Sequence, residues 1–174
     1  MFKPITFSID CWELPKLILL AERRNCTKLV HTNRKYDNKR DDFCVSYNGA
    51  LGEYAVGKLI NAKIDKSVSL SGDDKISDLI KNDIRIQVKM NLSKSPNVYL
   101  YFNEKELFKA DIAVLTTIRS ACEIDVEGWI TKEDYLNKAQ KMNFGKGDRW
   151  GVNKKDLHNP KELVEYLEIR EIKV

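Results

Sequence analysis

Hydrophobic and polar positions along this chain follow first a helical rhythm, then a period of two, then a helical rhythm again. From Trp12 to about Leu29 the apolar residues Leu14, Leu17, Ile18, Ala21 and Leu29 recur near helical spacing, and Pro15 fits a helix only in its first turn. This predicts an amphipathic helix. The next stretch, HTNRKYDNKRDDF, has no apolar period and reads as a polar loop. A second helix is predicted over NGALGEYAVGKLIN, with Asn48 as N-cap and Leu51, Ala55 and Leu59 on one face. Short β-like runs come next: VSL around Val68, ISDLI at 76–80, IRIQVKM at 84–90, VYLYF at 98–102, DIAVLTT at 111–117 and CEIDVEGWI at 122–130. Thr131 then reads as an N-cap, with Asp134 three residues on and an Ile130/Tyr135 staple, opening a helix to about Lys141. A basic, Gly-containing loop, FGKGDRWGVNKK, separates it from a last helix after Pro160. There is no repeat and no linker rich in Pro, Gly or Ser. The pattern predicts one α/β domain over residues 1–174, a central mixed β-sheet flanked by helices.

Composition narrows this picture. At 174 residues with 43% hydrophobic content the chain suits one packed domain and is too short for two large ones. No apolar run approaches the ~20 residues of a membrane span. The start, MFKPITFSID, lacks the apolar core and cleavage site of a secretory signal. A cytoplasmic location without a membrane partner is the expectation. Cys11, Cys26, Cys44 and Cys122 form no CxxC pair, and His31 and His158 sit in no zinc-ligand spacing, so the thiols are expected to be reduced and structural.

The formal net charge is only +4, but it is uneven. Residues 16–40 hold eight Lys/Arg against Glu22 and Asp37, about +6. A second basic stretch holds Lys141, Lys146, Arg149, Lys154 and Lys155, with Asp148 as its only acid. DNA affinity comes largely from phosphate neutralisation by such residues. The expected DNA contacts are Arg23, Arg24, Arg34, Lys35, Lys39 and Arg40 in the first stretch and Lys146 and Arg149 in the second. Solvated basic faces are the alternative. Phe144 and Trp150 interleave with the second stretch, either to stack on unpaired bases or to pack in the core.

The most informative stretch is ISDLIKNDIRIQVKMN. Ile84, Ile86, Val88 and Met90 alternate with Arg85, Gln87 and Lys89, which puts the apolar set on one sheet face and the polar set on the other. If Asn82 and Asp83 form a two-residue hairpin turn, Lys81 pairs with Ile84 and Asp78 lies opposite Gln87. A carboxylate, an amide oxygen and an ammonium group then converge. Mg²⁺ takes oxygen ligands, usually one or two carboxylates completed by water and substrate phosphate, and activates a bound water. Asp78 and Gln87 are candidate ligands, and Lys89 is placed to stabilise charge on a phosphate. Glu53 adds a carboxylate if its helix packs near Asp78, and Gly49, Gly52 and Gly57 would permit a close helix–sheet approach. Asp73 and Asp74 rival Asp78 but need a longer hairpin. The simpler reading of the alternation is the solvent face of an antiparallel sheet.

A helix carrying GE (GALGEYAVGKLI), then Asp78 on one strand and Gln87-Val88-Lys89 on the next, resembles the PD-(D/E)XK, restriction-endonuclease-like nuclease superfamily in its (E/Q)xK form. The resemblance spans about residues 46–130, with a basic N-terminal helix and loop before it and an extension after it. GWITKEDYL is similar to the strand-to-helix segment that comes after the core in some phage and bacterial members. It implies an αβββαβ core and Mg²⁺-dependent DNA cleavage, with Mn²⁺ substituting, by an enzyme of phage, restriction or junction-resolving type. It also implies Asp78 as central metal ligand, Gln87 at the second ligand position, Lys89 as catalytic lysine and Glu53 as helix carboxylate. Ser77 stands where the motif has proline, and Gln87 brings no charge where most members have an acid. A binding module that keeps the fold without hydrolysis is therefore the alternative function. A homodimer is expected where both strands are cut.

Overall fold

The computed structural model describes residues 2–29, 42–64, 77–93, 95–143 and 147–171. The chain opens with strand β1 (Ile5–Ser8) and helix α1 (Leu14–Leu29), where Pro15 occupies the first turn as its missing N–H requires. Helix α2 runs Asp42–Leu59, so Asn48 is interior to a helix that starts six residues earlier than its capping chemistry predicts. Tyr47 explains the extension, because it packs against the core and stacks on Phe43 one turn before it at 5.9 Å. Tertiary packing thus outweighs a favourable N-cap.

Strands β2 (Leu79–Lys81) and β3 (Ile84–Asn91) form the expected hairpin, with Lys81 paired to Ile84 and Leu79 to Ile86. Both turn residues, Asn82 (φ 50°) and Asp83 (φ 60°), have the positive φ that a type I′ turn demands. The chain continues through β4 (Tyr99–Phe102), β5 (Ile112–Ser120) and β6 (Glu123–Thr131). Helix α3 (Lys132–Lys138) is capped as the sequence predicts, Thr131 Oγ1 accepting the Asp134 N–H at 3.1 Å. It ends three residues early, and Lys141 lies in strand β7 (Gln140–Asn143), paired with β8 (Asp148–Asn153). Helix α4 (Pro160–Glu171) closes the fold with proline at its first position.

Five strands form a mixed sheet in the order β1-β6-β5-β3-β2, parallel only between β3 and β5. A three-stranded antiparallel sheet, β4-β8-β7, stands apart from it. Side-chain alternation divides the core in two. Ile86, Val88, Ile112, Val114, Ile124 and Val126 meet α1, α2 and α4 on one face. On the other, Ala113, Leu115 and Ile130 meet Leu100, Phe102 and Val152 of the small sheet and Tyr135 of α3. The large sheet is therefore flanked by helices on one side and mainly by a second sheet on the other. The crossover from β3 to β5 holds β4 and a 3₁₀ turn at Lys105–Leu107 where an αβββαβ order has a helix. Val68 and the upstream rivals Asp73 and Asp74 lie outside the described residues.

Candidate functional site

The polar residues of β3 differ in what they meet. Arg85 is tied to Asp111 just before β5, Nη2 donating to Oδ1 at 2.8 Å and Nε to Oδ2 at 3.0 Å. This pairing raises the Arg85 pKa, and the same hydrogen bond lowers that of Asp111. Arg85 is thereby a structural clamp between the two parallel strands. Gln87 and Lys89, two and four residues on, line a cleft of about 340 Å³ between β3 and β4.

Asp78 sits at a bend just before β2, one residue beyond the last ladder pair and so beside Gln87 in register. Its N–H donates to the Ile86 carbonyl at 2.9 Å, and its Oδ2 accepts the Val88 N–H at 2.7 Å. The carboxylate continues the ladder where the strand backbone turns away. Lys89 is half-buried, with Nζ 4.8 Å from the centre of the Phe102 ring and no salt bridge to any described residue. Burial lowers its pKa, and the charge of Asp78 opposes that shift. Gln87 Oε1 is buried with no hydrogen-bond partner; among the described residues only Asn25 Oδ1 shares that condition.

Glu53 is placed differently. Helix α2 lies on the Val88/Met90 face, where Gly52 permits the closest approach: a Cβ there would meet Thr116 Oγ1 at 2.7 Å and Val88 Cγ1 at 3.3 Å. Gly49 has nothing within 4 Å and plays no such part. The buried Glu53 carboxylate accepts two hydrogen bonds from Arg24 of α1, at 2.7 and 2.8 Å. The structure thus brings Asp78, Gln87 and Lys89 together and engages Glu53 with Arg24. No group of three or more His, Cys, Asp or Glu that could hold a metal occurs among the described residues. Among the described residues a hard cation here would have one carboxylate and one amide oxygen, which suits a site completed by water and phosphate.

Of the expected DNA contacts, Arg23 is exposed, Arg24 faces Glu53, and Arg149 lies over the Tyr101 ring at 4.8 Å. Arg34, Lys35, Lys39, Arg40, Lys146 and the aromatic Phe144 lie outside the described residues. Lys141 pairs with Asp148 at 3.1 Å and Lys154 with Glu127 at 3.4 Å. Trp150 packs against the smaller core beneath Lys105. All four cysteines are reduced, as expected, but exposed, contrary to the buried structural role expected of them. Sequence reasoning missed the cleft itself, because VYLYF reads equally well as any short strand. No described helix is long and apolar enough to cross a membrane. Comparison with protein-family models, with curated proteins and with solved structures found no match to this chain.

Proposed function

We propose that this protein hydrolyses DNA phosphodiester bonds as a Mg²⁺-dependent endonuclease, built as a variant of the restriction-endonuclease-like core with Asp78, Gln87 and Lys89 at its centre. The observation that carries this reading is the buried, unpartnered amide oxygen of Gln87, a residue opposite Asp78 in the hairpin register and on the same strand face as the desolvated Lys89. Leaving such an oxygen unsatisfied costs about 1–3 kcal/mol, and a bound ion or water is the usual compensation. The adjacent Asp78 charge favours a cation there. Bound Mg²⁺ supplies Lewis acidity and an acidified water. Asp78 anchors it, Gln87 adds a neutral ligand, and Lys89 stabilises negative charge on the phosphate from a site where burial strengthens its field. A lysine whose pKa is lowered also gives up a proton to a departing oxygen more readily. A homodimer in the cytoplasm, cutting both strands and accepting Mn²⁺ in place of Mg²⁺, goes with this reading.

One observation favours a second reading, a nucleic-acid-binding module that does not hydrolyse. With Glu53 held by Arg24, the chain offers a metal here a single carboxylate among the described residues. Supercoiled, linear, single-stranded and branched DNA incubated with Mg²⁺, Mn²⁺ or chelator separates the two. The nuclease reading expects metal-dependent cleavage that Asp78→Ala and Lys89→Ala each lower by about 10² or more. Salt-dependent DNA binding without cleavage of any of these substrates selects the binding module.

A further inference from the structure

The cations of the small sheet are held in two ways. Lys141 of β7 pairs with Asp148 at 3.1 Å, and Lys154, just after β8, pairs with Glu127 at 3.4 Å. Each is neutralised by its carboxylate. Arg149 of β8 is held by a ring instead. Its guanidinium carbon lies 4.8 Å from the centre of Tyr101, and it forms no salt bridge with any described residue. The register explains this seat. Tyr101 pairs with Gly151, which has no side chain to cover the ring, and Arg149, two residues before Gly151, is the diagonal neighbour within reach of it. The adjacent acid, Asp148, is engaged by Lys141. A ring fixes the plane of a guanidinium while leaving its charge and its edge donors free for a planar, bidentate anion contact. A carboxylate would occupy both.

Tyr101 also lines the cleft that Gln87 and Lys89 line, so the ring that orients Arg149 belongs to the wall of the proposed cleavage centre. One guanidinium is a weak site for a free anion. On a polyanion the same contact adds to others, because every neutralised phosphate releases its own counterions. We propose that Arg149 binds a backbone phosphate of the DNA that enters the cleft, with Tyr101 as the positioning residue that holds the guanidinium flat for it. Such a contact sets the register of the strand and reads no base. The place of this phosphate beside the cut rests on the nuclease reading, whereas the phosphate contact itself does not.

The test is binding of the full chain to a labelled duplex in chelator, where no cleavage occurs, followed by fluorescence anisotropy over a salt series. Arg149→Gln should lower affinity roughly fivefold at about 0.1 M salt and flatten the salt dependence by about 0.9, one phosphate contact. Arg149→Lys keeps the charge without the planar fork, so it should keep the slope of the parent and still bind more weakly. Tyr101→Phe, which keeps the ring, should match the parent. Tyr101→Leu should weaken binding in the parent and add nothing in the Arg149→Gln background, because the ring acts through the guanidinium. A parent slope in Arg149→Gln overturns the proposal, and so does parent affinity in Arg149→Lys. A Tyr101→Leu effect that persists without Arg149 also overturns it, since the ring would then touch DNA directly. Absence of any DNA binding by the parent overturns both this proposal and the nuclease reading. A flattened slope in Arg149→Gln without metal-dependent cleavage by the parent sinks the nuclease reading and keeps the contact. Metal-dependent cleavage by the parent with an unchanged slope in Arg149→Gln does the reverse.

Discussion

The two faces of the large sheet bury charge in opposite ways. On the helix face, Glu53 is among the most buried carboxylates of the protein, and both its oxygens are met by one guanidinium. On the cleft face, Lys89 is half-buried without a salt bridge to any described residue, over a phenyl ring, next to an amide oxygen that accepts nothing. A paired buried charge is a structural solution, since its partner repays much of the desolvation. An unpaired one with an orphan acceptor beside it is costly unless something outside the chain completes it. This contrast separates two residues that a shared motif groups together. Under the proposed nuclease reading it assigns Glu53 to the architecture and keeps Lys89 with the chemistry.

The largest effects should fall on the cleft face. Asp78→Ala and Lys89→Ala are each expected to lower metal-dependent cleavage by between about 10² and 10³, as loss of a positioned charge does in a water-poor site. Thermal unfolding should still be cooperative in both variants. On the helix face the loss should instead be one of stability. Glu53→Ala leaves Arg24 without this carboxylate and is expected to cost about 3 kcal/mol in urea unfolding. The Arg24→Ala, Glu53→Ala double variant should cost less than the sum of the single ones. Full stability with abolished cleavage in Glu53→Ala would transfer Glu53 to the chemistry and erase the contrast.

The hairpin is legible from sequence because its logic is local. Asn82-Asp83 between alternating runs fixes a two-residue turn, and the turn fixes the register that carries Asp78 to Gln87. The Thr131 cap and the start of α4 at Pro160 are legible for the same reason. Features that depend on distant partners are not. Arg24 meets Glu53 across 29 positions, and no spacing rule links them. Arg85 alternates with Gln87 and Lys89 and looks equivalent to them until Asp111 arrives from β5. Lys141 reads as the end of α3, yet it pairs with Trp150 of β8 in a strand, because sheet pairing over that distance overrides helix propensity. The second sheet, and with it the cleft, exists only through such pairings.

A smaller effect sharpens the account of Lys89. Its folded pKa lies below the ordinary 10.5, because burial disfavours the ammonium. Between the folded pKa and 10.5, the unfolded chain holds a proton that the folded one has released, so stability rises with pH across that window. Below the folded pKa the full cost of burying the charge is present. Lys89→Met is therefore expected to be stabilising at the low end, with a gain that shrinks as pH climbs through the window. Urea unfolding of both proteins along a pH series checks this, and a gain that stays constant with pH would show that Lys89 carries no such cost. Smaller still, Arg23→Gln should flatten the salt dependence of DNA binding by up to about 0.9, one phosphate contact. An unchanged slope would make Arg23 a solvated side chain.

The central claim is that the unpartnered Gln87 oxygen is a ligand position of a metal-dependent cleavage centre. Cleavage measured against Mg²⁺ concentration in the parent, Gln87→Glu and Gln87→Leu tests it most directly. A carboxylate puts an oxygen at nearly the same place and adds charge to a site short of it, so Gln87→Glu should remain active and saturate at lower Mg²⁺. Gln87→Leu should lose activity. An active Gln87→Leu protein with the metal dependence of the parent would contradict the account.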